Sequence, residues 1–100
     1  MIRKALLWSV LVVTSLPYAH AQDSVRNVEL LASSCAACHG TNGHSVGGTP
    51  SLAGLASAHI IEQMRQFTGG ERPSTVMLHH ASAYTTEEIE LLADYFSKQK

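Results

Sequence analysis

Two thiols and an imidazole stand together in Cys35-Ala36-Ala37-Cys38-His39, the pattern C-x-x-C-H. Thiols three residues apart on one helical turn can both reach the vinyl groups of a single porphyrin, and the adjacent histidine can offer its ring nitrogen to the iron. Other uses of C-x-x-C leave something unexplained. A structural zinc site needs four ligands, and the sequence has no second cysteine pair. A thioredoxin-like dithiol belongs in a βαβ context that this short chain lacks. A lone disulfide gives no reason for the histidine that follows. The motif therefore points to one covalently attached haem c, held through Cys35 and Cys38 with His39 as an axial iron ligand.

The sixth position of such an iron decides the chemistry. An open site favours ligand binding or oxygen chemistry, whereas a thioether closes it and raises the reduction potential. The candidates are Met64, Met77, His44, His59, His79 and His80. Met64 falls at helical spacing between Ile60 and Phe67 and reads as a core side chain. Met77 lies where helical periodicity is lacking, after Pro73, and a loop can carry a side chain to the distal face without distorting packed helices. Met77 is the favoured ligand. His44 and His59 read as solvated, and His79 and His80 are rivals should the loop shift register. The Pro50 carbonyl, in the rigid Thr49-Pro50-Ser51-Leu52 stretch, could receive the free N–H of His39, although a plain turn proline explains that residue equally well.

These residues need elements to hold them. Residues 1–21 read as a secretory signal. Arg3 and Lys4 precede the apolar run Ala5 to Leu16, Pro17 breaks it, and Ala19-His20-Ala21 offers a cleavage site. The run is short for a membrane span, so no stable insertion is expected after cleavage. Residues 22–100 then form a single exported domain whose core is thin enough to need a cofactor as a staple. Loss of Arg3 and Lys4 leaves five basic residues against eight acidic ones, a formal charge of −3, which excludes a nucleic-acid partner.

Within that domain the pattern is all-α. Asp23 or Ser24 caps a first helix expected from Val25 into the Cys35–His39 motif, ended by Gly40 in a left-handed conformation. Residues 40–54 read as an irregular loop. Ser57 caps a second helix over about 58–68, with Ile60, Ile61, Met64 and Phe67 on one face, stopped by Gly69-Gly70. Thr85-x-x-Glu88 is a capping box that opens a third, with Ile89, Leu92, Ala93 and Phe96 inward. The carboxylates Glu87, Glu88 and Glu90 suit that helix start and imply no acid–base catalysis.

Over its mature length the chain resembles a small class I cytochrome c. It is most similar to the group containing the haem subunit of flavocytochrome c sulfide dehydrogenase and single-domain relatives. Four stretches carry the resemblance: Cys35 to Thr41, Pro50-Ser51-Leu52-Ala53-Gly54, Gly70-Glu71-Arg72-Pro73-Ser74-Thr75-Val76-Met77, and the run from Glu87 to Phe96. The Glu-Arg-Pro-Ser-Thr-Val-Met run is the specific one. Leu78-His79-His80, and Ala83 before Tyr84, replace the Gly-Arg and Gly-Tyr usual there. The resemblance implies about three helices around the haem, Met77 as distal ligand, Pro50 against the His39 ring, and the first and third helices packed crosswise. It also implies a periplasmic FAD-containing partner subunit that oxidises sulfide and passes single electrons to this haem, with other redox proteins as acceptors. Alternatives are a freely diffusing periplasmic carrier, a haem-based ligand sensor, or a peroxidase-like protein that uses His79 or His80.

Overall fold

The structure, a computed structural model, describes residues 11, 12 and 27–100. Of the expected signal (1–21), only Leu11 and Val12 are described. The caps Asp23 and Ser24 and the helix start at Val25 lie outside the described residues. The described part is helical, in the order α1 (27–33), α2 (Ala36–His39), a 3-10 turn at Thr41–Gly43, α3 (Ser57–Gly69), α4 (Met77–Ser82) and α5 (Thr86–Ser97), without strands. The second and third expected helices are present as α3 and α5, the expected first is divided between α1 and α2, and α4 is an addition.

α1 and α2 are not one continuous helix. Ser33 Oγ donates to Leu30 O at 2.6 Å and Ser34 Oγ to Leu31 O at 2.9 Å, so both hydroxyls engage carbonyls of the last turn. Serines in that position compete with the backbone ladder. The chain breaks into a turn at 34–35, where Cys35 N reaches back only to Ala32 O, at 3.0 Å. α2 ends at Gly40 with φ 81° and ψ 170°. That is not the expected left-handed helical region but the extended region at positive φ that only glycine adopts without strain.

α3 begins one residue earlier than expected, with Ser57 inside the helix and Ala56 at the cap, and it closes on Gly70 in the left-handed conformation, φ 75° and ψ 6°. Ile60 and Phe67 are buried along it and Met64 half-buried, while Ile61 turns outward. α5 carries the anticipated capping box. Thr85 Oγ1 accepts from Glu88 N at 3.2 Å, and Glu88 Oε1 accepts from Thr85 N at 3.0 Å. Two of the orphan donors at a helix start are thereby satisfied at once.

Ala32, Ile60, Leu92, Ala93 and Phe96 form one core, with Leu31, Leu52, Leu55, Met64, Tyr84 and Tyr95 packed around it. α3 lies against both α5 and α4. Small residues at the shared core, above all Ala93 with no exposed surface, let the helices approach closely. Among the described residues, three of the seven buried apolar ones are alanines, so this part of the chain alone buries little apolar area.

Candidate functional site

Between the helices lies a cavity of about 640 Å³. That volume is in the range of cofactor pockets, roughly 300–1,000 Å³. Leu52, Leu55, Ile60, Met64, Phe67 and Leu92 make its wall mostly apolar. The same wall holds Cys35, Cys38, His39, Pro50 and Met77. Folding therefore brings the pentapeptide together with a methionine from nearly forty residues further along the chain.

His39 is set in place most firmly. It is 9 % exposed, and its Nδ1 lies 2.6 Å from the Pro50 carbonyl oxygen. A carbonyl oxygen can only accept, so Nδ1 carries the proton and Nε2 keeps its lone pair for a metal. Pro50 reaches the ring because the intervening loop is folded back tightly. Gly43 O accepts from Leu52 N at 2.8 Å and from Ala53 N at 3.2 Å, Ser51 Oγ accepts from Ser45 N at 3.0 Å, and Gly54 N donates to Phe96 O at 3.0 Å. Gly43 itself has φ +79°, and a Cβ there would lie 2.9 Å from both Ala53 N and Phe96 Cδ1. Only glycine permits that approach. Tyr95 Oη, donating to Asn42 Oδ1 at 2.7 Å, ties the 3-10 turn to α5.

The two thiols are free, Cys35 half-buried and Cys38 exposed. Burial pushes the Cys35 thiol above its ordinary pKa, with its hydrogen bond to the Ser34 side chain pulling the other way. This is the reverse of the depressed thiol that dithiol exchange requires. Ser34 Oγ also pairs with Tyr84 Oη at 2.6 Å, which joins the turn before Cys35 to the segment that leads into α5.

Met77 is half-buried and sits not in a loop but at the first residue of α4. Six residues are too few for the 3.6-residue pattern to show in sequence. Of the rivals for the sixth position, Met64, His59 and His80 line the cavity; His44 and His79 do not. The helix explains the choice between the paired histidines, because His80 stands three residues from Met77 and shares its face. Sequence reasoning did not single out Arg72. Its guanidinium lies 4.7 Å from the Phe67 ring centroid and donates to Gln63 Oε1, while its backbone N donates to Gln66 O at 3.2 Å. Phe67, two residues before Gly69-Gly70 and five before the arginine, was the only signal available.

An apolar cavity with two free thiols, a histidine presenting Nε2 and a methionine in its wall fits a covalently bound haem, and the comparisons agree. A cytochrome c family model matches residues 25–100, and the chain belongs to that family. It therefore carries covalently bound haem c. The chain is 48% identical over 68 residues to the cytochrome subunit of sulfide dehydrogenase of Chlorobaculum tepidum, covering 68% of this chain and 62% of that protein. It is 39% identical over 71 residues to the thiosulfate dehydrogenase electron acceptor of Thiomonas intermedia, covering 69% of this chain and 33% of that one. The structure superposes on cytochrome c4 of Acidithiobacillus ferrooxidans with a TM-score of 0.65 and 27% identity, covering 83% of this chain and 52% of the other. The chain thus spans between about 33% and 62% of the length of these relatives. Among the described residues, no helix is long and apolar enough to cross a membrane.

Proposed function

We propose that this chain transfers single electrons as the cytochrome subunit of a sulfide-oxidising enzyme. In this reading an FAD-containing partner subunit delivers electrons to it in the periplasm, after removal of residues 1–21. Cys35 and Cys38 would hold the haem, and His39 Nε2 and the Met77 thioether would ligate its iron. The observation that carries the reading is an apolar cavity whose wall contains all four residues. The 48% identity to a sulfide dehydrogenase cytochrome subunit supports the choice of partner. A freely diffusing periplasmic carrier is the second reading, favoured by the likeness to a thiosulfate dehydrogenase electron acceptor.

Bound haem supplies an iron that cycles between ferrous and ferric states. The protein's residues determine how that cycle runs. By donating Nδ1–H to Pro50, His39 holds its ring in one orientation and makes Nε2 more electron-rich. The Met77 thioether, as a ligand to that iron, would exclude external ligands and favour the ferrous state. Ile60, Phe67 and Leu92 keep water from the site, while exposed Cys38 marks the edge where a partner can come within electron-transfer range.

The test is Met77→Ala. The variant is expected to lose the weak thioether-to-iron band of the oxidised spectrum, to have a lower reduction potential and to bind carbon monoxide when reduced. Met64→Leu, nearly conserving volume, should do none of these. His80 lines the same cavity, so Met77→Ala combined with His80→Ala gives the unambiguous spectrum. Wild-type reduced protein that binds carbon monoxide readily at neutral pH would contradict the His/Met reading. An FAD protein that co-purifies with the chain and reduces it on addition of sulfide is expected; reduction only by some other donor would favour the free carrier.

A further inference from the structure

Met77 opens a helix of six residues, α4, which is too short to be stable by itself. The first turn of any helix leaves N–H groups with no partner inside the helix. Val76, at the N-cap of α4, has no side chain that can accept one. An acceptor comes instead from two residues further back, where Ser74 Oγ receives Leu78 N–H at 3.0 Å. That N–H belongs to the peptide unit leaving Met77, so the hydroxyl fixes the backbone on the far side of the methionine. On the near side, His79 N and His80 N both donate to Val76 O, at 3.0 and 3.2 Å.

Ser74 is itself anchored. Pro73 restricts the chain just before it, and Arg72 is fastened to α3 through its backbone N on Gln66 O at 3.2 Å and its guanidinium over Phe67 and against Gln63. The path from α3 to the methionine is therefore continuous: Arg72 holds the segment and the Ser74 hydroxyl holds the helix start. The Arg-Pro-Ser portion of the run before Met77 has a physical role that neither haem attachment nor ligation explains.

We propose that Ser74 is a positioning residue for the sixth iron ligand, setting how seldom Met77 leaves it. The inference rests on Met77 as that ligand. An external ligand such as cyanide can enter only after the methionine sulfur has departed. The bond to sulfur breaks, a bond to the cyanide carbon forms, and no electron is gained or lost. Without the Ser74 hydroxyl the first turn of α4 loses its acceptor and frays, and the departed state becomes more populated. Loss of a side-chain cap at a helix start corresponds to about a fivefold change in such an equilibrium.

The experiment is cyanide binding to the oxidised holoprotein, followed at concentrations where methionine departure limits the rate. Ser74→Ala and Ser74→Val are each expected to bind about fivefold faster than wild type while the thioether-to-iron band persists. Ser74→Thr, which restores the hydroxyl on the frame of valine, should return to the wild-type rate. Ser82→Ala removes the hydroxyl that donates to Leu78 O at 2.6 Å from the other end of the same helix, and should leave the rate unchanged. An unchanged rate in Ser74→Ala and Ser74→Val, or an equal rise in Ser82→Ala, overturns the inference while leaving ligation intact. A wild-type spectrum without the thioether band, or a band that survives Met77→Ala, overturns the ligation reading and this inference with it.

Discussion

Gly43 is a position where the demand for glycine is local and its consequence for the site direct. Gly43→Ala puts a Cβ 2.9 Å from the Ala53 amide nitrogen, 2.9 Å from Phe96 Cδ1 and 3.1 Å from Leu52 Cβ, at φ +79°. The left-handed conformation costs a residue with a side chain roughly 1–2 kcal/mol. Forcing one carbon into a filled space costs about 1–3 kcal/mol more. The sum, about 3 kcal/mol, is a large part of the roughly 5–15 kcal/mol that holds a domain together. The two nearest neighbours do not yield easily, since one is backbone and the other is a ring that is 3 % exposed. Guanidinium unfolding of the oxidised holoprotein measures this, with a slope of about 3 kcal/mol per molar for so small a domain and so a midpoint lower by about 1 M. The loop offers its own control, because a Cβ on Gly47 meets nothing within 4 Å. Gly47→Ala should be neutral or slightly stabilising, by at most about 1 kcal/mol. The displacement in Gly43→Ala also loosens the Leu52 and Ala53 hydrogen bonds to Gly43 O. The proton on His39 Nδ1, which faces Pro50, should therefore exchange faster with solvent. Equal midpoints for Gly43→Ala and Gly47→Ala would refute the reasoning.

Thr85→Ala removes the hydroxyl of the capping box that starts α5. It should cost about 1 kcal/mol, read as a fall of about 4–8 °C in Tm. The exposed network in which Arg65 Nη2 meets Glu62 Oε1 at 2.7 Å and Arg65 Nη1 meets Glu71 Oε1 at 2.9 Å is sensitive to pH. Hydrogen bonds from Arg65 and Gln66 hold the Glu62 carboxyl down to about 2, and Arg65 likewise lowers Glu71. Carboxylates lowered on folding contribute stability that is fully present above their ordinary range and lost as pH falls toward the folded value. The Tm difference between wild type and Arg65→Ala should thus be present at neutral pH, shrink between about pH 4.5 and pH 2, and be reduced by high salt because all three side chains are exposed. A difference that grows on acidification would count against the network.

Much of the site could be read in the sequence because its signals are local. The pentapeptide 35–39 places two thiols and an imidazole on one turn whatever surrounds it. The capping box at Thr85 and Glu88 operates within four residues, and Gly70 stops α3 by its own conformational freedom. α4 escaped notice because six residues give less than two turns of pattern, and its acceptor, Ser74, stands outside the usual capping position. The break between α1 and α2 depends on two serine hydroxyls turning back on their own helix, a choice those side chains can make in either direction.

The residue types of a haem c site, an all-α chain and an apolar face on each of α3 and α5 were determined by the sequence alone, since each depends on neighbours within a few positions. Tertiary structure decided which carbonyl meets His39. An eleven-residue loop can bring Pro50 to the ring only once Gly43 has accepted the Leu52 and Ala53 amides. It also decided that His80 rather than His79 faces the cavity, because the phase of α4 is set by Ser74 and by packing on α3. The first outcome turns on hydrogen bonds between separate segments of the loop, and the second on the packing of α4 against another helix as well as on the nearby Ser74 hydroxyl; a local pattern does not specify that packing or those loop bonds.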